Sequence, residues 1–341
     1  MKKNEKIKLN LSYPHIPLIS YTMASENSQT PIVQLGLCCI NTILRKDDIF
    51  CSRTMTRANF TVEKAKKLAL KNIADIAKLA EWNFNHNIFV LRLSSDIFPH
   101  FTDDAVNKDK DYEDMTFAKE ALKIAGETAR KYKQRINFHP GQYNQVGATD
   151  DIVFAKTIMD LEMHADILDA MGVGVDGILC IHGGGLYGNK EKTIERWISH
   201  FPNLPENVKK RVCIENCERC YSLEDCLRIS EKCNIPVILD SHHFDCYHLL
   251  NPAVSIDINT ALPRVLHSWK RRGMTPLFHI SEQRPDSRVG AHSDFIETIP
   301  EYMMTIPEKY GMSVDIEVEA KMKEQAILRL YEKYPQLSRT K

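Results

Sequence analysis

Short apolar runs, each stopped by Gly, Pro, Asn or a cluster of charge, recur eight times along this chain and alternate with longer stretches of helical period. The runs are IVQLGLCCIN (32–41), IFVLRLSS (88–95), RINFHP (135–140), GILCIHGG (177–184), VCIENC (212–217), IPVILDSHH (235–243), PLFHISE (276–282) and SVDIEVEA (313–320). Their near-continuous apolar character predicts strands covered on both faces. Between them, EKAKKLALKNIADIAKLAEWN, FAKEALKIAGETARKY, AKTIMDLEMHADILDAMG and SLEDCLRISEKCN carry helical periodicity and close near Gly, Asn or basic stop signals. Ser222 with Asp225 three residues on predicts a capping box at the start of the last of these. Eight strand–helix units predict an α/β fold, a single-domain (β/α)8 TIM barrel over residues 31–341. The alternative, a doubly wound open sheet, lacks its G-x-G-x-x-G turn after the first run. Residues 1–30 are expected to form a loosely ordered N-terminal extension.

Composition narrows the class. The 341 residues are 43% apolar, enough for one large core, and no run is long enough to cross a bilayer. The N-terminus begins with positive charge but has neither a continuous apolar stretch nor a small-residue cleavage site, so no signal peptide is predicted. Ten cysteines at scattered spacings suit free thiols in a reducing cell, which places the protein in cytoplasm or nucleus with no membrane partner. CERC (217–220) has no second pair at zinc-finger distance. Lys plus Arg and Asp plus Glu are equal at 45 each, so net charge does not announce a nucleic-acid partner. A local basic rim is still available from WKRRG (269–273), EQRPDSR (282–288) and GNKEK (188–192), with Lys270, Arg271, Arg284 and Arg288 as its members.

Barrel enzymes place their chemistry at the carboxyl ends of the strands. Here the third run ends at His139, the fourth at His182, the fifth at Glu215 with Asn216, and the sixth at Asp240 with His242 and His243. The seventh carries His279, the eighth Glu317 and Glu319, and His292 follows in RVGAHSD. One such histidine suits an ordinary rim position; their recurrence on consecutive strands points to metal. Imidazole and carboxylate donors together suit Zn, Mn or Fe, and a bridging carboxylate holds two ions about 3.5–4 Å apart. His139, His182, Glu215, Asp240, His243, His279, His292 and Glu319 exceed what one ion needs, so two or three divalent ions are expected. Such ions lower the pKa of bound water, direct hydroxide at phosphorus or carbonyl, and stabilise the leaving oxygen, the chemistry of phosphodiester hydrolysis. In an extended strand Asp240 and His242 share a side and His243 does not, unless the strand has already turned at its end, while Glu317 and Glu319 share a side and leave the choice between them open. In NFHPGQYNQVG (137–147) the strand breaks at Pro140 and Gly141, so His139 reaches a rim with Gln142 and Tyr143 at the loop tip beside it.

GLCCIN, FCSRT, RLSSDIFPH, FHPGQYNQ, IHGGG, IENCERCYSLEDCL, PVILDSHH, HISEQRP, GAHSD and EAK, in that order over roughly residues 32–324, together resemble the UV damage endonucleases, relatives of the endonuclease IV apurinic nucleases. The resemblance implies a barrel with two or three divalent ions, Mn first and Zn second. It implies nicking of double-stranded DNA immediately 5′ of cyclobutane pyrimidine dimers, 6-4 photoproducts and often abasic sites, leaving a 3′-hydroxyl and a 5′-phosphate; the protein is expected to act as a monomer. Carried over by residue, it makes the same eight side chains the ligands, with Glu319 chosen through EAK and with Glu215, His139, His279 and Glu319 central to catalysis. It assigns Gln142 and Tyr143 to probing the duplex, puts Asn41 near the lesion pocket and Arg284 at the substrate. The chain departs from the family at Leu277, where a lysine is common, and at Leu37, where an aromatic is common; His100 has no settled role. A sugar isomerase of the same barrel superfamily would need a closed polyol pocket, and a non-catalytic lesion binder would not need the full ligand set.

Overall fold

The computed structural model describes residues 30–107, 112, 114–254 and 256–338, so the expected extension over residues 1–30 lies outside the described residues but for Thr30. Each predicted run contains a strand shorter than the run itself: β1 Val33–Cys38, β2 Val90–Leu93, β3 Arg135–Phe138, β4 Leu179–His182, β5 Val212–Glu215, β6 Val237–Ile238, β7 Leu277–Ile280 and β8 Val314–Val318. All pair in parallel, in the order β6-β5-β4-β3-β2-β1-β8-β7. A parallel bridge from Asp240 to His279, with the His279 amide donating to the Leu239 carbonyl at 3.1 Å, brings β6 against β7 and completes a (β/α)8 barrel.

Local chemistry starts the helices where capping groups stand. Thr61, Asp150 and Ser222 accept backbone N–H groups at the first turns of Val62–Asn85, Asp151–Ala170 and Leu223–Cys233, the last through a complete Ser222–Asp225 capping box. Among the described residues no helix is long and apolar enough to cross a membrane, and none of the ten cysteines is bridged.

The near-continuous apolar runs conceal an alternation. A Cβ added to Gly36 would sit 2.8 Å from Val90 Cβ and 3.1 Å from Glu317 Cγ, so these three positions face the barrel interior. Period-two alternation then places Arg92, Asn137, His139, Cys180, His182, Glu215, His279, Glu317 and Glu319 inside, and sends Leu35, Leu37, Ile136, Phe138, Ile181, Phe278 and Ile316 outward into the helix-covered core. Leu37 therefore packs in that core. Leu277 lies on His279's side of β7, two residues deeper, and is fully buried.

The sixth run departs most from expectation. Only Val237–Ile238 is extended; Asp240 caps a helix, Ser241–Leu250, that contains both His242 and His243. The Asp240 carboxylate accepts the His243 amide at 2.7 Å, so a favourable N-cap residue ends the strand before its apolar pattern ends.

Candidate metal centre

Glu215, the last residue of β5, is fully buried with its carboxylate at the centre of an imidazole cluster. Oε2 lies 2.8 Å from His139 Nε2 and 3.6 Å from His182 Nε2, and Oε1 lies 2.8 Å from His279 Nδ1 and 3.5 Å from His243 Nδ1. Burial by itself would raise this carboxyl, yet the imidazoles of His279, His182 and His139 hold it well below the ordinary range. Register explains the convergence, since His182 pairs directly with Glu215 across β4 and β5. His182 is pushed down to about 4, by burial first and then by the neighbouring His139 and His243.

The helix at 241–250 alters the geometry of the sixth position. His243, three residues past the cap, turns back over Asp240: its Nδ1 is 3.6 Å from Asp240 Oδ2, while His242 faces His292 and Cys246. The run has turned at its end, so Asp240 meets His243 rather than His242, because helical i to i+3 spacing brings those two together. Asn216 locks the β5–β6 ends, donating to the Asp240 carbonyl at 2.9 Å and accepting the Asp240 amide at 3.0 Å.

The β8 carboxylates occupy different depths. Glu317 lies behind His279, 3.1 Å from its Nε2, and accepts from Asn137 Nδ2 at 2.7 Å. Glu319 stands at the mouth, with Oε1 3.6 Å from His279 Nδ1 and Oε2 3.7 Å from His292 Nδ1. A buried Arg92 on β2 serves both, at 3.4 Å from Glu317 and 2.5 Å from Glu319. Arg92, Asn137 and Cys180 went unnoticed in the sequence, although each is a polar or sulfur group at an inward position of an apolar strand, which was the available signal.

Gln142 and Tyr143 project beside this mouth; Tyr143 is 84% exposed. Their loop is held by its neighbours. Asn144 donates to Gly141 O at 3.0 Å and to Asp160 at 2.8 Å, and Gln145 donates to Gln142 O at 2.7 Å while accepting the Gly185 amide at 2.6 Å. A groove of about 570 Å³ runs alongside, lined in part by Tyr143, Phe98, Phe101 and His100 and reaching Ser95 and Gly141, which flank His139. His100 is not in the cluster: its Nδ1 is 3.0 Å from Asp103 and its Nε2 2.7 Å from the Met55 carbonyl. Arg284 and Arg288 are exposed on a loop organised by Gln283, whose side chain bonds to Arg284 O, Arg288 O and Gly290 N.

Asn41 is fully buried and its Oδ1 accepts the Leu44 amide at the cap of the helix Thr42–Arg45. Two expectations about the basic stretches are corrected here. Lys270 and Arg271 end the helix that precedes β7, at the opposite end of the barrel, where Arg271 donates to Ser230 Oγ and Ile235 O. Lys190 of GNKEK is engaged by Asp225 at 2.9 Å and Tyr247 at 2.8 Å. Of the four named members of the basic rim, Arg284 and Arg288 stand exposed on the loop after β7.

The donor set fits divalent metal. His139, Cys180, Glu215 and His279 present donor atoms all within 4.8 Å of one another, and His182, Glu215 and His243 form a second such group sharing Glu215. Asp240 Oδ2 and His182 Nδ1 are buried without a hydrogen-bond partner, a costly state for a carboxylate oxygen unless a cation completes it. All eight ligand candidates lie around this mouth, each in contact with another of them, the longest contact being His292 Nδ1 to Glu319 at 3.7 Å.

Comparison with known proteins agrees with this architecture. The profile of the family described as UV-endonuclease UvdE matches residues 33–341. A relative from Acanthamoeba polyphaga mimivirus is 37% identical over 310 residues, covering 89% of this chain and 92% of its own length. The UV-damage endonuclease of Schizosaccharomyces pombe is 35% identical over 315 residues, 88% of this chain but 50% of the yeast protein. The crystal structure of SacUVDE superposes with a TM-score of 0.75 at 30% identity, over 89% of this chain and all of the other. Endonuclease IV from Thermus thermophilus, at 13% identity and TM-score 0.53 over 90% and 99% of the two chains, shares the fold. With a profile match over nearly the whole barrel and relatives this similar, the chain belongs to the UV-endonuclease UvdE family.

Proposed function

We propose that this protein is a divalent-metal-dependent DNA-repair endonuclease. It nicks the strand immediately 5′ of cyclobutane pyrimidine dimers, 6-4 photoproducts and abasic sites, leaving a 3′-hydroxyl and a 5′-phosphate. The observation that carries the reading is the pair of donor groups sharing Glu215 at the mouth of the barrel, next to a loop that projects Tyr143 into solvent. Bound there, two or three ions, Mn first and Zn second, supply an acidified water and charge neutralisation at the phosphate.

The chain's own residues do the rest. His139, His182, Glu215, Asp240, His243, His279, His292 and Glu319 hold the ions; Glu317 orients His279 from behind, and Arg92 fixes Glu319. Gln142 and Tyr143 enter the base stack where damage has weakened it, since a lesion is the cheapest nucleotide to displace. Arg284 and Arg288 meet the backbone phosphates. The protein acts as a monomer on duplex DNA.

The test is incubation of the purified protein and Mn with an end-labelled duplex bearing one thymine dimer. The expected product is a single nick on the 5′ side whose 3′ end a polymerase extends. An intact duplex, or a ketose converted in its place, overturns the proposal.

A further inference from the structure

One inward-facing group of the cluster is of a different chemical kind from the rest. Cys180 lies on β4 two residues below His182, fully buried, with its sulfur 3.1 Å from Oε2 of Glu215. Three further donor atoms, from His139, Glu215 and His279, share a 4.8 Å neighbourhood with that sulfur. The adjoining group, His182, Glu215 and His243, has nitrogen and oxygen only. As a hydrogen-bond donor to a carboxylate a thiol is weak. As a metal ligand it is decisive, because sulfur favours zinc and its relatives over manganese, and two nitrogens, one oxygen and one sulfur make a four-donor zinc set.

We propose that Cys180 is a metal ligand, and that it makes the position it shares with His139, Glu215 and His279 selective for thiophilic ions such as zinc over manganese. The position of His182, Glu215 and His243 keeps the harder donors that manganese accepts. The two halves of the centre then differ in metal preference while sharing one carboxylate. This inference rests on the metal-binding part of the proposed function and adds a ligand to it.

The full-length chain, stripped with chelator and kept reduced, is titrated with cobalt(II) while its absorption spectrum is recorded. A near-ultraviolet thiolate-to-cobalt charge-transfer band is expected. It is lost in Cys180→Ser while the visible cobalt bands remain, and it persists in the double variant Cys217→Ser/Cys220→Ser. Zinc affinity of Cys180→Ser is expected to fall by about 100-fold, with manganese affinity changing by less than about tenfold, on the scale of lost metal-site support. Should Cys180→Ser fail to fold, X-ray absorption at the zinc edge of the Cys217→Ser/Cys220→Ser protein reports the same contact as a sulfur at about 2.3 Å. Visible bands with no charge-transfer band, or a band that survives Cys180→Ser and vanishes with the CERC pair, overturn Cys180 as a ligand and leave the metal centre standing. No cobalt binding at all overturns both.

Discussion

Truncating Gln142 and Tyr143 together to alanine separates reading of damage from cutting of the strand. Tyr143 is 84% exposed and Gln142 is exposed, with its side chain in no hydrogen bond among the described residues. The loop backbone is held instead by Asn144 and Gln145, which the double variant retains, and His139 keeps its 2.8 Å contact with Glu215. Folding stability should therefore change by no more than about 0.5 kcal/mol, the ordinary range for surface positions. What is lost is the filler of the gap in the base stack. Base–aromatic stacking is worth about 1–3 kcal/mol, which converts to roughly one to two powers of ten in kcat/KM. A dimer has to be pried from a partly stacked duplex, whereas an abasic site has no base to unstack, so the loss should be larger on the dimer. The assay is kcat/KM on two matched duplexes, one with a single thymine dimer and one with a single abasic site, together with a thermal melt. Equal losses on both substrates, or a melting point lowered by several degrees, would refute the reasoning and give the loop a structural role.

Other outcomes follow from the same geometry. Glu215→Gln removes the charge that both donor groups share and should abolish nicking while damaged-duplex binding survives; a Mn-loaded, folded variant cutting at the native rate would remove Glu215 from the centre. Mn at about 100 times its dissociation constant should stabilise the fold by about 2.7 kcal/mol, which for a barrel of this size raises Tm by roughly 4 °C; a melt indifferent to Mn and chelator argues against any divalent site. Arg284 and Arg288 are the named rim residues that stand exposed on the loop after β7, so their double alanine variant should flatten the dependence of log affinity on log salt by about 2, and an unchanged slope would exclude them as phosphate contacts. Gly183→Ala would place a methyl 2.5 Å from the Tyr221 ring and should cost about 1–3 kcal/mol, read as a lower denaturation midpoint; an unchanged midpoint would show that the ring moves freely.

How far the sequence could be read differs from residue to residue. Each apolar run yielded its strand, because a segment that must be covered on two faces carries its burial in its own composition. His139, His182 and Glu215 were legible as strand-end groups for the same local reason. His243 was legible as a donor but not in its placement, because whether IPVILDSHH stays extended depends on Asp240 capping a helix, and the apolar count favours a longer strand than two residues. Nor was the division between Glu317 and Glu319: both obey the same alternation, and only the positions of His279 on β7, Asn137 on β3 and Arg92 on β2 separate a supporting depth from the mouth. The basic residues failed for a related reason, since WKRRG and EQRPDSR look alike as charge clusters while lying at opposite ends of the barrel.

By itself, then, the order of residues determined what is encoded locally: where the chain extends, where caps begin helices, and which strand ends carry imidazole and carboxylate. Those properties depend on burial period and on side chains within a few positions of one another. Tertiary structure decided what depends on closure: that donors from the ends of β3, β4 and β7 and from the helix after β6 converge on the Glu215 carboxylate of β5, that Asn41 turns inward to cap a helix, and that a sulfur from the middle of β4 stands against Glu215. The reason is geometric. Convergence is set by the stagger of parallel strands around a closed barrel, and residues dozens of positions apart share a depth only once that stagger is fixed.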